Sequence, residues 1–303
     1  MDNIMNKITA IIVTFNPDLT IFGEILERIA SQVDSVLLVD NASDNAALLS
    51  KTIMLRENVS PVFLDDNIGL AAAQNLAISK IIDKTNFIIL FDQDSLIQDN
   101  LIKSLLDDAK KIHEKKDVLL GAIGPSFYDP NTMSIYPATI YYGPFIKQVK
   151  VFSEPVEATY LIASGCLIST DVLREVGLMK DELFIDYIDV EWSLRAKSKG
   201  YNLYISPNAK MAHAIGDARR KFLGRTISIH SPFRRYFLVR NSFYMIRLNY
   251  IPLGYKTREC IFNIARILIS IIYSDQKMKT IKSAFYGIID GIAGRFGPLK
   301  RKI

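Results

Sequence analysis

Paired thiols are missing from this chain. Its two cysteines, Cys166 and Cys260, stand 94 positions apart. Neither has the spacing of a zinc site or a disulfide framework, which fits a reducing cytosol. Long apolar runs are missing too. The longest, CIFNIARILISIIY from Cys260 to Tyr273, is broken by Asn263 and Arg266 and falls short of the about 20 apolar residues that a bilayer crossing needs. There is no low-complexity tract and no repeat of roughly 20 to 50 residues, which argues against solenoids and propellers. The opening MDNIMNKITAIIVTFN has neither a cationic leader nor a small-residue cleavage site, so no secretory signal is expected. A Gly-rich phosphate loop with basic residues near the first strand, the mark of a nucleotidyltransferase, is also absent.

What is there is ordinary globular material, 49% hydrophobic and 23% charged over 303 residues, which is large for one domain and small for three. The net charge of +5 is unevenly placed. From Ile251 to Ile303 ten Lys or Arg stand against three Asp or Glu, so this segment carries +7 and the remainder −2. Because the basic charge is confined to an apolar tail, without the stripe or module of a nucleic-acid binder, no nucleic-acid partner is expected.

Along the first half, apolar runs alternate with amphipathic ones. Ile8 to Phe15, Ser35 to Val39, Val59 to Leu64 and Phe87 to Phe91 read as buried strands, while Leu19 to Gln32 and Gly69 to Ile82 have helical spacing. This order predicts a parallel sheet with helices on both faces. Further on, Asn100 to Lys116 reads as an amphipathic helix. Val118 to Ile123 and Ala158 to Ser169 read as strands, the second interrupted at Ser164-Gly165. Phe184 to Gly200 runs into a helix, Asn202 to Ser206 is a strand before Pro207, and helical runs follow from Ser242.

In such sheets the ligand lies beyond the carboxyl ends of the strands. Here those ends carry Thr14-Phe-Asn-Pro17, Asp40-Asn41, Asp65-Asp-Asn-Ile-Gly69 and Asp92-Gln-Asp94. One polar turn is unremarkable, but four at successive strand ends mark a site. Within it, Asp92 and Asp94 are acceptors only. Their best partner is a hard divalent cation, Mg²⁺ or Mn²⁺, which keeps open positions for phosphate oxygens.

The segments IIVTFNP, LLVDNAS, DNIGLAAAQNLAI, FDQDS, ASG (Ala163 to Gly165), DYIDVEWSLR and MAHAIGD occur in that order over roughly residues 7 to 247. Together they resemble an inverting nucleotide-sugar glycosyltransferase of family 2. FDQDS and HSPFRRYFLVRN, from His230 to Asn241, most resemble its rhamnosyltransferase branch, whose donor is dTDP-L-rhamnose. The resemblance implies the GT-A fold, a Rossmann-like, mostly parallel sheet flanked by helices. A nucleotide-binding half would occupy residues 1–100, an acceptor half 101–247, and a basic amphipathic helical tail 248–303.

The resemblance also assigns roles. Thr14, Phe15 and Asn16 would contact the nucleoside, with Asp40 accepting from the pyrimidine N3–H. Asn67 and Gly69 would lie near the ribose and diphosphate, and Asn75 on the helix beyond. Asp92 and Asp94 would form the metal motif, Asp94 as direct ligand, with His213 near the metal and diphosphate, and Asp189 would be the catalytic base. Where the family more often has a Glu-Asp pair, this chain has Ile188-Asp189. Glu191 is therefore a rival base, although its i,i+4 spacing to Arg195 also suits a helix ion pair. Asp186 is a weaker candidate that also suits a helix cap, and the lone Trp192 reads as core. His230, Arg234, Arg235 and Arg240 would either grip diphosphate or lie against lipid.

The chemistry is coherent. Sugar transfer with inversion passes through an oxocarbenium-like transition state. A divalent cation offsets the charge of the leaving nucleoside diphosphate, and a carboxylate takes the acceptor's proton. The expected acceptor is a glycan or lipid-linked glycan of bacterial surface polysaccharide. A UDP-hexose donor and a non-catalytic binding protein are the alternatives. The basic tail suits an anionic membrane, which would place the protein in the cytoplasm, on the inner face of the membrane. The duller reading of the tail is a helical subdomain that packs on the core or forms a homo-oligomer.

Overall fold

A computed structural model describes residues 7–53, 56–115, 117–130, 132–212, 218–222 and 225–301. Each of the four early apolar runs forms a strand: β1 Ile8–Thr14, β2 Ser35–Asp40, β3 Val59–Phe63 and β4 Phe87–Asp92. Helices α1 Leu19–Ala30, α2 Ala46–Ile53, α3 Leu70–Ile81 and α4 Leu101–His113 alternate with them. β1 shows why the pattern works. Ile8, Ala10 and Ile12 face one hydrophobic cluster with Phe22, Ile25 and Leu105, whereas Ile11 faces the other with Ala77, Ile78 and Trp192. A strand buried on both faces has little use for polar residues until its end.

The second half adds β5 Leu120–Tyr128, β6 Ala138–Tyr142, β7 Phe145–Val149, β8 Val156–Ala158, β9 Cys166–Ser169 and β10 Asn202–Ala212, with α5 Thr170–Val176 and α6 Ile188–Ser198. The main sheet runs β3-β2-β1-β4-β9-β5-β10-β8. β9 lies antiparallel between β4 and β5, and β8 is antiparallel to β10. The rest are parallel. Strand order reverses between β1 and β4, so the crevice at their carboxyl ends is the switch point where open α/β sheets bind ligands.

Several expectations need correction. Ala158 to Ser169 is two strands in different parts of the sheet. At the break Gly165 has φ +77°, and the sulfur of Met211 and the ring of Pro125 occupy the space a side chain would need. The strand expected to end before Pro207 continues to Ala212 across an irregular register between Ser206 and Lys210. The stretch from Phe184 does run into a helix, entering it at Ile188 after Phe184, Asp186 and Tyr187, which all take φ near +65°. Two hairpins were not anticipated: β6 with β7, turning at Gly143-Pro144, and β11 Ala218–Phe222 with β12 Arg225–Ile229.

The chain continues into α7 Pro232–Arg247, α8 Leu253–Tyr273 and α9 Lys277–Ala293. The division expected after residue 247 falls at the end of α7, and the later helices are bonded back across it. The Tyr236 hydroxyl donates to Asp290 at 2.9 Å, and Gly297 N–H donates to Glu182 O at 2.7 Å. α9 packs closely on α7 through glycines. A Cβ on Gly287 would lie 2.8 Å from Tyr236 O, and one on Gly291 would lie 2.5 Å from the Phe243 ring. Among the described residues no helix is long and apolar enough to cross a membrane.

Close helix approach leads to the first prediction. Gly291→Val should force α7 and α9 apart and cost about 1–3 kcal/mol. Urea denaturation would measure this, and an unchanged midpoint would show that the contact is slack.

Candidate functional site

At the switch point the strand ends are stitched to one another by side chains. Thr14, fully buried at the end of β1, donates to Asp40 Oδ1 at 2.9 Å. Ser43 donates to both oxygens of Asp40 through its hydroxyl and its N–H. The same Ser43 hydroxyl accepts from Asn16 N–H at 2.8 Å. Asn16, at φ +49°, exchanges side-chain bonds with Asp44, accepting from its N–H at 2.7 Å. Just past the end of β2, Asn41 donates to Asn67 at 3.0 Å and accepts from Ile68 N–H at 2.9 Å.

The other side of the crevice is closed by Gln93. Its carboxamide accepts from Phe15 N–H at 2.7 Å and donates to Phe15 O at 3.3 Å, splicing the loop after β4 to the end of β1. Ser164 holds that loop from behind. Its hydroxyl accepts from Asp92 N–H at 3.2 Å and pairs with the Ser95 hydroxyl at 2.6 Å. Asp92 and Asp94 therefore emerge from a fixed turn, Asp92 half-buried and Asp94 exposed.

Asp189 arrives from the opposite side, in the first turn of α6. Its placement depends on the left-handed segment Phe184–Tyr187, whose carbonyls cannot pair with one another. Asn241 of α7 supplies the missing donor. Its NH₂ group reaches Leu183 O and Ile185 O at 2.8 Å and Asp186 O at 3.1 Å. Arg240, only 1% exposed, donates to the carbonyls of Glu182, Leu183 and Gly297, and also to Asn241 Oδ1. Arg234 pairs with Asp186 at 2.6 Å.

This turn explains Gly69. Phe184 O accepts from Leu70 N–H at 2.7 Å and so caps the N-terminus of α3. Gly69 sits at φ +90°, and a Cβ there would lie 2.5 Å from the Phe184 ring. The glycine makes room for the turn.

The carboxylates feel one another. Burial, and after it the charges of Asp94 and Asp189, push the Asp92 carboxyl up to about 7, with Arg234 pulling the other way. Burial raises Asp189 to about 6 although its carboxylate accepts from Val190 N–H at 2.8 Å. Mutual repulsion of this kind is relieved by a cation. Among the described residues no group of three or more His, Cys, Asp or Glu side chains is gathered as a metal cage. His213 lies outside the described residues.

Several residues expected at the ligand make bonds within the frame. Asp40 is 0% exposed and its oxygens accept from Thr14 and Ser43, which ties the ends of β1 and β2 together. Asn75 is turned away. It exchanges bonds of 2.9 Å with the Met179 backbone and donates to Asp181. Glu191, the rival base, is fully buried, bonded to Arg195 at 2.8 and 2.9 Å and to the Tyr250 hydroxyl. Trp192 is core, as expected, and donates to Gly177 O. Arg235 is buried, with its Nε unpartnered. Together with buried Arg240 and half-buried Arg234, this removes the reading in which these arginines lie against lipid. Phe15, Asn16, Asn67, Asp92, Asp94 and Asp189 keep exposed or half-buried positions at the crevice. Sequence reasoning gave no role to Gln93, Ser164 or Asn241, although all three lie in segments it singled out.

Comparison with known proteins agrees with this architecture. Residues 9–177 match the family model described as glycosyl transferase family 2. The chain is 36% identical over 296 residues to a dTDP-rhamnosyl transferase, RfbF, of Shigella flexneri, covering 96% of this chain and 97% of that one. Among solved structures, GalNAc-T7 with UDP, GalNAc and Mn²⁺ superposes with a TM-score of 0.58 at 17% identity, covering 87% of this chain and 58% of that one. The mannosyltransferase PcManGT of Pyrobaculum calidifontis, in complex with GDP-Man and Mn²⁺, superposes with a TM-score of 0.56 at 14% identity, covering 95% and 88%. These likenesses show a shared GT-A fold.

Two predictions follow from the geometry. Asn241→Leu leaves the carbonyls of Ile185 and Asp186 without their donor and should cost about 2 kcal/mol or more, with a fall in kcat as Asp189 loses its support. A variant of wild-type stability and activity would show that the turn holds itself. The second concerns pH. A carboxyl whose folded pKa is raised contributes stability at low pH that is lost as pH rises through the folded value. In chelator the melting temperature should therefore fall as pH climbs from the ordinary 3.8 of Asp92 towards about 7, and Asp92→Asn should flatten that slope.

Proposed function

The chain belongs to glycosyl transferase family 2, and we infer that it transfers L-rhamnose from dTDP-L-rhamnose to a hydroxyl of a glycan or lipid-linked oligosaccharide, with inversion, in the synthesis of bacterial surface polysaccharide. The observation that carries the donor is 36% identity, sustained over 96% of the chain, to a dTDP-rhamnosyl transferase. The reaction class has a second support in the three carboxylates at the switch point. They come from the end of β4 and the first turn of α6 and lie close enough for Asp94 and Asp189 to raise Asp92.

The nucleoside is assigned to the exposed rim at Phe15, Asn16 and Asn67, with Thr14, Asp40 and Gly69 fixing that rim from below. The donor set fits a divalent cation. Asp92 and Asp94 are hard oxygen ligands one residue apart, held in a turn by Gln93 and Ser164, and Asp92 feels the repulsion of Asp94 and Asp189. Asp92 and Asp94 would hold Mg²⁺ or Mn²⁺, with His213 assigned beside them, and the bound ion would offset the charge of the leaving diphosphate. Arg234, whose charge is felt at Asp92, adds a fixed positive charge on the same side.

Asp189 is the base. A carboxyl near 6 is ionised at neutral pH yet basic enough to take a proton, the compromise that general bases need. The acceptor oxygen attacks the anomeric carbon, its proton passes to Asp189, and the bond from that carbon to the diphosphate oxygen breaks with its electron pair leaving on dTDP. The acceptor is assigned to a hollow of about 240 Å³ lined by Phe127, Tyr136, Gln148 and Tyr160 among others. Tyr160 connects it to the base, since the Asp189 charge is one of the causes, after burial and Tyr141, that push the phenol up to about 12. Aromatic walls with one carboxamide suit the apolar face and hydroxyls of a sugar ring.

Mass-spectrometric detection of transfer from a panel of nucleotide sugars to extracts containing lipid-linked glycans, with and without Mn²⁺ or Mg²⁺, tests the reading. Transfer from dTDP-rhamnose that is lost on chelation is expected, whereas transfer from a UDP-hexose alone would overturn the donor assignment. Asp189→Asn should lower transfer by about 10²- to 10⁴-fold while dTDP-rhamnose still binds, and Asp94→Ala should abolish it. Full activity in either variant removes that residue from the mechanism.

A further inference from the structure

The two helices that close the fold are inside out. α8 turns Tyr255, Glu259, Asn263 and Ser270 inward, and α9 turns Thr280, Ser283, Ala284, Gly287, Asp290 and Gly291 inward. Apart from Tyr255 their inner faces are polar or small, and most of those polar groups are satisfied at home, the buried Ser283 hydroxyl being the exception. Asn263 donates to the Ser242 hydroxyl, Asp290 accepts from Tyr236, and Glu259 pairs with Arg266 and Tyr187.

The large apolar residues lie on the other side. On α8, Ile261, Ile264, Leu268 and Ile272 are exposed, and on α9, Met278, Ile281, Phe285, Ile289 and Ile292. In each helix they recur three or four residues apart, which makes a single stripe. On α8 it runs from Ile261 to Ile272, about 17 Å of helix. Soluble monomers rarely leave such a face to water.

Charge decides what covers it. Of the three acids from Ile251 onward, Glu259 and Asp290 are buried and bonded to arginines, which leaves Asp275 as the exposed one. Lys277, Lys279, Lys282, Arg295 and Lys300 are exposed. A symmetric dimer through this face would set two such basic surfaces against each other, where like charges oppose association. An anionic lipid surface meets both requirements at once, since its headgroups take the lysines and its acyl boundary takes the stripes.

We propose that α8 and α9 form a membrane-docking surface that seats the enzyme on an anionic bilayer, with the apolar stripes in the headgroup–acyl boundary and the lysines on the phosphates. The proposal rests on the surface alone and does not depend on the donor or acceptor assignment.

The test is co-sedimentation of the full chain with vesicles of phosphatidylcholine containing phosphatidylglycerol, and with phosphatidylcholine alone. Binding is expected to the anionic vesicles and to weaken by about tenfold or more in high salt or on neutral vesicles. The triple variant Ile264→Glu, Leu268→Glu, Phe285→Glu should lose it while keeping the wild-type circular dichroism spectrum and melting temperature, because these side chains touch little of the protein. Folded variant that still sediments like the wild type would overturn the proposal. So would light scattering that finds the wild type dimeric and unbound to vesicles, with the variant monomeric.

Discussion

Four carbonyls that cannot bond to one another organise this molecule. Between Glu182 and Tyr187 the backbone takes three left-handed residues, a conformation that costs of order 1–3 kcal/mol per residue and persists only when its surroundings enforce it. The enforcement comes from α7, through the carboxamide of Asn241 and the guanidinium of Arg240. From this one clamp several features follow: where α6 begins, why Asp189 sits in its first turn, why Phe184 caps α3, and why position 69 must be glycine. The segment HSPFRRYFLVRN is therefore a device for holding a loop, and only Arg234 within it keeps its charge near the site.

The opposite wall of the crevice is built by different means. Strands β1, β2 and β4 arrive in register, with Thr14 level with Asp40 and Val13 level with Asp92. Their ends would fray into water without side chains to continue the ladder. Gln93 and Asn41 continue it, one on each side of β1's neighbourhood, by giving their amides to backbone or side-chain partners on the next element. The three carboxylates of the crevice are thus suspended between a stitched sheet edge and a clamped turn. Neither wall can shift without breaking several hydrogen bonds, which is the kind of rigidity that positioning chemistry requires.

The first four strands were legible because burial on both faces leaves an unambiguous run of β-branched residues, and the switch point follows from their order. The crevice was legible because polar residues gather where those runs stop. What stayed hidden was which polar residue faces the ligand and which faces its neighbours. Thr14, Asp40 and Asn75 have the right chemistry for either job, and only three-dimensional placement shows their groups already engaged. Gln93 was the reverse case, a residue without visible purpose until the backbone of Phe15 came within 2.7 Å. The β6–β7 hairpin escaped notice because half of its residues face solvent, so it lacks the apolar density that marked the core strands.

The bond from Arg240 to the carbonyl of Gly297 also sets an order of events during synthesis. Arg240 spans the gap between the 182–183 carbonyls and a residue made more than a hundred positions after them. While the ribosome still holds residue 297, the guanidinium lacks one of its anchors and the turn beneath Asp189 is only partly braced. That brace therefore forms later in synthesis than the sheet edge it faces.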